Sequence, residues 1–153
     1  MSFMEERFFT TKQAAEIAGC TLRQLQYWRE SGVVVPVITE TGTGRSIYYS
    51  EKNLVELAAM VYWLSVGFTF EVGREVLKTL KEQYPGLLSD REPKRLIFVK
   101  ELQAGDSKLV EFDVEKVVAA WAEGKFVVPV WLDVIHARLR ERVNVRVKPK
   151  VRV

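Results

Sequence analysis

The stretch FTTKQAAEIAGCTLRQLQYWRESGVVVP, residues Phe9–Pro36, contains two short helical patterns separated by Gly19-Cys20-Thr21. Thr10 or Thr11 can cap the first helix, which we expect over about Lys12–Ala18. A glycine directly after the pattern is a typical helix stop. Two helices with so short a break are typical of a helix-turn-helix motif.

The second helix of this motif is expected over about Leu22–Ser31, with Thr21 as its N-cap and Gly32 as its stop. Its expected core side chains recur at intervals of three residues: Leu22, Leu25 and Trp28. The second helix of such a motif enters the major groove with its N-terminal residues toward the base edges. Arg23 and Gln24 are therefore candidate readers of guanine and adenine.

The segment after the motif has the composition of a β-hairpin. In Val33–Tyr49, the β-rich runs VVVPVI and SIYY flank the Thr- and Gly-rich turn TETGTGR. Pro36 places the first strand at a sheet edge. A hairpin directly after a helix-turn-helix predicts a wing, in which Arg45 would reach the DNA backbone.

Two further helices complete the first half of the chain. Ser50 and Thr69 are their expected N-caps, and the helices end near Val66 and Gln83. A Tyr-Pro-Gly sequence follows, so we expect a first domain over residues 1–84.

The next segment, residues 85–142, predicts a small α/β unit. Strand patterns at Arg95–Leu102 and Leu109–Phe112 flank a turn, and a helix follows Asp113. Four apolar residues are expected on one side of that helix: Val114, Val117, Val118 and Trp121. A last helix is expected over about Trp131–Arg142, after a short extended piece.

Positive charge is concentrated at the C-terminal end. The sixteen residues Arg138–Val153 hold seven basic residues and one acidic residue, a net charge of +6, whereas the other 137 residues carry −3. The last part, residues 143–153, alternates valine with polar or basic residues, which is the period of a strand. This basic tail could add to a sheet edge, lie on DNA phosphates, or form a disordered solubilising end.

Composition excludes several classes of protein. One cysteine, Cys20, and one histidine, His136, exclude an intramolecular disulfide and a Cys/His zinc site. No catalytic-triad, P-loop or dinucleotide-binding pattern is present, so we expect no catalytic residue, no metal ligand and no cofactor. No apolar run reaches the roughly 20 residues that cross a bilayer, so a cytoplasmic location is expected.

The opening stretch, followed by GRSIYYSEKNLVELA and WLSVGFTFEVGREVL, resembles the DNA-binding domain of the MerR family of bacterial transcription regulators. The resemblance covers roughly Phe9–Leu80, about half of the chain. It is carried by five features in order: an opening helix with an alanine-rich face, Arg23-x-Leu25-x-Tyr27-Trp28, Gly32 with Pro36, Tyr49-Ser50, and Gly67-Phe68-Thr69. The resemblance implies a dimer that binds a pseudo-palindromic promoter and distorts its DNA.

The predicted fold class is mainly α with a β wing, a winged helix-turn-helix of the MerR type, plus a small α/β C-terminal part. The predicted function is a sequence-specific transcription regulator that binds double-stranded DNA as a homodimer. The candidate DNA-binding residues lie at the two helix starts and in the wing: Thr11, Lys12, Gln13, Thr21, Arg23, Gln24, Tyr27, Arg45 and Tyr48.

The sequence departs from the family pattern in three respects. Gln26 and Ile47 stand where arginine is usual, which reduces the expected phosphate contacts. Residues 1–80 hold eight basic and nine acidic residues, a net charge of −1 that is unfavourable for DNA binding. The family's long coiled-coil helix for dimerisation is replaced by Pro85-Gly86 and the α/β segment.

An alternative function is an antitoxin-like or other protein-interaction module with an N-terminal DNA-binding domain. The chain is also similar to two-part proteins in which a MerR-like domain precedes a small domain and serves as an antitoxin. Residues 85–142 would then bind a protein partner. The same segment could instead hold an effector, in a pocket lined by four apolar residues, although residues of this kind at helical spacing are more often core: Trp121, Phe126, Trp131 and Val134.

Overall fold

The computed structural model describes residues 7–39, 47–89, 92–103 and 105–147. The helices are α1 Thr11–Ala18, α2 Leu22–Glu30, α3 Glu51–Ser65, α4 Phe70–Gln83, α5 Val114–Ala122 and α6 Leu132–Val147. The strands are β1 Phe9–Thr10, β2 Ile38–Thr39, β3 Ile47–Tyr49, β4 Arg95–Lys100, β5 Ser107–Glu111 and β6 Phe126–Trp131. Within those ranges, none of the helices has the length and apolar character needed to cross a bilayer.

The beginnings of the first four helices follow from their N-caps. The hydroxyl groups of Thr10, Thr21, Ser50 and Thr69 each accept a hydrogen bond from the backbone N–H three residues further on. Such a bond satisfies one of the free donors at a helix start. Of the two candidates for the cap of α1, Thr10 and Thr11, the cap is Thr10, and Thr11 is the first residue of the helix.

The first sheet has the order β1-β3-β2, and both pairings are antiparallel. Phe9 lies opposite Tyr49, and Ile38 lies opposite Tyr48. Of the β-rich run before the predicted turn only Ile38 lies in a strand, β2, which continues to Thr39 at the start of that turn. Residues 40–46, which include Arg45 and the rest of the predicted turn, lie outside the described residues. Strand β1 was not predicted, because two residues are too few to show a period.

Helix α3 is the centre of the hydrophobic core. It contacts α1, α4 and α6, and it is buried around most of its circumference. Its buried residues are Asn53, Leu54, Val55, Glu56, Leu57, Ala59, Met60, Tyr62 and Trp63. An all-round apolar helix is expected where other elements cover every side.

The core continues from the helices into the second sheet, whose order is β5-β4-β6 and whose pairings are antiparallel. One face of this sheet packs into the same core through Leu96, Phe98, Val128 and Val130. The indole Nε1 of Trp63 donates a hydrogen bond to the carbonyl oxygen of Pro129 at 2.8 Å. The C-terminal segment therefore packs directly against α3.

Three predictions about side chains or elements are corrected by the structure. Leu22 is 52% exposed, because Leu25 and Trp28 alone form the buried side of α2. Trp121, for which core was the favoured reading, is exposed on α5 together with Val114 and Val118, because this helix rests on the sheet through its other side.

The third correction concerns the start of the basic tail. Residues 143–147 belong to α6 and not to a strand. The buried stripe Leu132, Ile135 and Leu139 continues to the partly buried Val143 at helical spacing, so packing favours the helix over the alternating pattern. Residues 148–153 lie outside the described residues.

Substitution of Trp63 by phenylalanine tests the link between the two halves. We expect Trp63→Phe to lower the free energy of unfolding by about 1–3 kcal/mol, because it leaves the Pro129 carbonyl without its donor and opens space in the core. Urea unfolding followed by circular dichroism measures this change. Trp121→Phe, at a 63% exposed position, is the matched control and should change stability by less than about 0.5 kcal/mol. Equal stabilities of the two variants would contradict the prediction.

Candidate nucleic-acid interface

Helix α2 presents a polar face to the solvent. Its exposed polar and aromatic residues are Arg23, Gln24, Gln26, Tyr27 and Glu30. Among the described residues, the guanidinium of Arg23 forms neither a hydrogen bond nor an ion pair. Gln26 donates to Glu30 across one helical turn at 3.4 Å. Arg23 is therefore available to a ligand.

Tyr27 is both exposed and held in place. The side chain is 53% exposed, and its ring packs against Phe70 at the start of α4, with ring centroids 5.0 Å apart. Trp28, the next residue, is fully in the core, as predicted. The contact with Phe70 fixes the ring of Tyr27, so its hydroxyl group can make a polar contact with little loss of conformational freedom.

The two glutamines among the predicted contacts are also capping residues. The side-chain oxygen of Gln24 accepts a hydrogen bond from the backbone N–H of Thr21 at 3.0 Å, and Gln13 does the same for Thr10 at 3.0 Å. A bidentate contact with adenine needs both the oxygen and the nitrogen of the amide. Because the oxygen of Gln24 already accepts one bond, Arg23 is the more available base reader of the two.

The first sheet brings several of the other predicted residues to the start of α1. Tyr48 on β3 lies opposite Thr10 in the β1–β3 pairing, and Thr10 directly precedes Thr11 and Lys12. Lys12 is exposed, whereas Thr11 and Tyr48 are half-buried. These side chains and the N-terminus of α1 therefore share one edge of the domain.

Helix α6 adds two arginines that sequence reasoning did not place here. The guanidinium of Arg142 lies directly against Gly19, the residue that ends α1 with a φ of +86°. The guanidinium of Arg138 lies over the ring of Tyr62, 5.8 Å from its centroid. Within the described part of the chain neither arginine forms an ion pair. Two positive charges from the C-terminal segment thus stand beside the helix-turn-helix motif.

A buried polar network holds the segment that leads from α2 to β2. The side-chain amide of Asn53 donates to the Val35 carbonyl at 3.0 Å and to Glu56 at 3.1 Å. Lys81 lies 3.8 Å from the other carboxylate oxygen of Glu56 and donates to the Val33 carbonyl at 3.3 Å. The network therefore holds the backbone that follows α2 against helices α3 and α4.

The ionisable groups of the motif do not point to redox or metal chemistry. Burial raises the pKa of the Cys20 thiol to about 11, and a reactive cysteine needs a lowered pKa. No three His, Cys, Asp or Glu side chains of the described residues are grouped as a bound metal ion would require.

Comparison with known proteins gives one family and a small group of relatives. Residues 9–80 match the family model described as MerR HTH family regulatory protein, which confirms the resemblance predicted from the sequence. The chain is similar to uncharacterized HTH-type transcriptional regulators of Mycobacterium bovis (strain ATCC BAA-935 / AF2122/97) and Mycobacterium tuberculosis (strains CDC 1551 / Oshkosh and ATCC 25618 / H37Rv). Each is 34% identical over 71 residues, which are 46% of this chain and 32% of the relative. The chain therefore spans about a third of the length of the curated relatives it matches.

The Glu56 network predicts a pH dependence of stability. Burial raises the pKa of Glu56, and the Lys81 ammonium and the Asn53 amide only partly oppose this. Because the folded protein then holds the proton more tightly than the unfolded chain, the free energy of unfolding falls as the pH rises above about 4.5 and through the folded pKa. Glu56→Gln removes this titration, so its stability relative to the natural protein should improve as the pH rises through that window.

Urea unfolding at a series of pH values measures this difference. Glu111→Gln, at an exposed position at the end of β5, is the control for the loss of one surface carboxylate and should leave the pH profile close to that of the natural protein. Parallel profiles for Glu56→Gln and the natural protein would show that Glu56 does not titrate differently on folding.

Proposed function

We infer, from the premise that residues 9–80 are a helix-turn-helix domain of the MerR family, that this chain is a transcription regulator whose α2 enters the major groove of double-stranded DNA. The observation that carries this proposal is the exposed polar face of α2. Arg23 is the second residue of this helix, two positions after its N-cap Thr21. In this role Arg23 donates two hydrogen bonds to a guanine, and Gln24 contacts a neighbouring base.

Other residues would fix the domain on the DNA backbone. The N-termini of α1 and α2 have free backbone N–H groups beyond their caps, and such groups favour phosphate oxygens. Thr11, Lys12 and Gln13 stand at the first terminus and Thr21 at the second. Tyr27, Tyr48 and Arg45 are proposed to make further backbone contacts from α2 and the β2–β3 region.

The two arginines of α6 are proposed to supply attraction that the first domain lacks. Residues 1–80 have a net charge of −1, whereas phosphate contacts dominate the affinity for DNA. Arg142 lies against Gly19, in the turn that leads to the N-terminus of α2. From there its guanidinium is placed to contact a phosphate that flanks the major groove.

The proposed regulator binds as a homodimer to a promoter with two half-sites. A two-fold protein reads two half-sites separated by about one turn of the DNA helix, roughly 34 Å. In this scheme residues 1–84 bind one half-site, residues 85–142 provide the contact between subunits, and residues 143–153 add positive charge. Selection of bound fragments from a random DNA pool tests for this site, and enrichment of no sequence would contradict sequence-specific binding.

Arg23→Ala tests the base reader. We expect it to weaken binding to the selected sequence by about 1–3 kcal/mol and binding to unrelated DNA by much less, because a guanine contact is lost. Fluorescence anisotropy with labelled fragments measures both affinities. Lys108→Ala, an exposed lysine on β5, should change neither. An equal loss on all sequences would assign Arg23 to a phosphate.

Arg142→Gln tests the contribution of α6. We expect weaker binding to all DNA sequences, and a slope of log affinity against log salt that is smaller by about 1, because one phosphate contact releases about one counterion. Titrations at several salt concentrations measure the slope. Lys108→Gln is the control for removal of one charge. A slope that stays the same in Arg142→Gln would show that this arginine does not contact DNA.

A further inference from the structure

Arg29 lies at the edge of the domain where the N-terminus of α1 and strand β3 meet. It stands in the last turn of α2 and is half-buried. Burial raises the pKa of Tyr49, and the Arg29 guanidinium opposes this rise most strongly, followed by the Thr11 hydroxyl. Because such effects act over a few ångströms, these three side chains form one cluster.

The pairing of β1 with β3 explains how the cluster is assembled. Phe9 lies opposite Tyr49, and Thr10, the N-cap of α1, lies opposite Tyr48. Thr11 follows as the first residue of the helix, and α1 also contacts β3 directly. The strand pairing therefore holds Tyr49 beside the first turn of α1.

The hydroxyl group of Tyr49 has no settled partner. The side chain is fully buried, and within the described residues its hydroxyl oxygen makes no hydrogen bond of acceptable geometry. A buried hydroxyl group without a partner costs free energy. The oxygen is therefore available to accept a hydrogen bond from the nearby Arg29 and to hold the guanidinium in one orientation.

The cluster combines hydrogen-bond donors and positive charge without a paired carboxylate. Within the described part of the chain, Arg29 forms no ion pair. Glu51, two positions after Tyr49, is already paired with Arg7 at 3.0 Å. Thr11 adds a hydroxyl group, and the start of α1 adds backbone N–H groups beyond the one that its cap satisfies. Such a set of donors suits an anion with several oxygens.

We propose that Arg29 and the first turn of α1 form a binding site for a phosphate group, with Tyr49 as the residue that positions the guanidinium. In the proposed function, on which this inference rests, the phosphate belongs to the DNA backbone. The planar guanidinium donates to two phosphate oxygens at once. The exposed Lys12 adds a second charge at the same helix start. Strand β3 has no charged residue, so α2 supplies the positive charge on this side.

Arg29 and Arg23 have different tasks in this scheme. Arg23 stands at the N-terminal end of α2, and Arg29 stands six positions later, about 9 Å along the axis and on another side of the helix. The N-terminal residues of a helix in the major groove face the base edges, whereas contacts with the phosphates carry no sequence information. Arg29 should therefore contribute equally on every DNA sequence.

Arg29→Gln in the full chain tests the site. We expect binding to the selected fragment and to unrelated DNA to weaken alike, by about tenfold, because one charge-assisted hydrogen-bonded contact is lost. The slope of log affinity against log salt should become smaller by about 1. Fluorescence anisotropy measures both quantities, and Lys108→Gln is the control for the removal of one positive charge.

Neutral methylphosphonate groups locate the contact. Single phosphates of the selected fragment are replaced one at a time. At one position the natural protein should lose affinity, while Arg29→Gln should lose none, because that variant has already lost its contact with this phosphate.

Tyr49→Phe tests the positioning role. Because the removed hydroxyl group has no partner, the melting temperature should not fall, whereas the affinity for DNA should fall about threefold as the guanidinium becomes less ordered. In the Arg29→Gln background the same substitution should have no further effect on affinity. Tyr84→Phe, at an exposed position after α4, is the matched control and should change neither quantity.

Several results would overturn the inference. One is equal DNA affinity of Arg29→Gln and the natural protein. Another is a loss of thermal stability in Arg29→Gln without a loss of affinity, which would assign Arg29 to the C-terminus of α2 alone. Additive effects of Arg29→Gln and Tyr49→Phe would remove the positioning role.

Inorganic phosphate separates this inference from the proposed function. Failure of every form to bind DNA would contradict the proposed function and leave the phosphate site to be decided by thermal unfolding. Added phosphate should then raise the melting temperature of the natural protein more than that of Arg29→Gln. Equal shifts in the two proteins would show that Arg29 binds no phosphate.

Discussion

The burial of α3 on nearly all sides determines where the other elements lie. Helices α1 and α4 cover part of it, and α6 and the second sheet cover the rest. At the contact with the sheet, the indole N–H of Trp63 donates a hydrogen bond to the Pro129 carbonyl. Removal of the C-terminal segment would expose apolar surface of α3 to water, and this exposure would lower the free energy of unfolding. The motif and the α/β segment therefore share one core, and α6 is held against α1 as a consequence of that packing.

Most of the first half could be predicted from its own residues, because N-caps and helix stops act locally. Thr21, Ser50 and Thr69 mark helix starts in the sequence as they do in the structure. The predictions that were wrong depend on distant partners. Whether Leu22 is buried, or Val143 helical, is decided by what packs against them, and one sequence does not contain that information.

The same distinction applies to the candidate site. The exposed face of α2 follows from its period, since Leu25 and Trp28 occupy the buried side. The position of Arg142 against Gly19 could not be predicted, because the two are 123 positions apart in the sequence and only the tertiary fold brings them together. The net charge of each sequence segment was therefore a misleading guide to the charge around the helix-turn-helix motif. A domain with a net charge of −1 acquires positive charge at its helix turn from another part of the chain.

The proposed half-site contact and the proposed contact between subunits also constrain each other physically. A weak subunit contact and a weak half-site contact each lose most of their free energy to the entropy of association when they form alone. When both form on one DNA fragment, the second contact is intramolecular and its effective concentration replaces the free concentration of protein. Strong binding then requires two correctly spaced half-sites. A weak subunit contact is thus better suited to selective binding than a strong one, because a dimer that is stable in solution would bind non-specific DNA more readily.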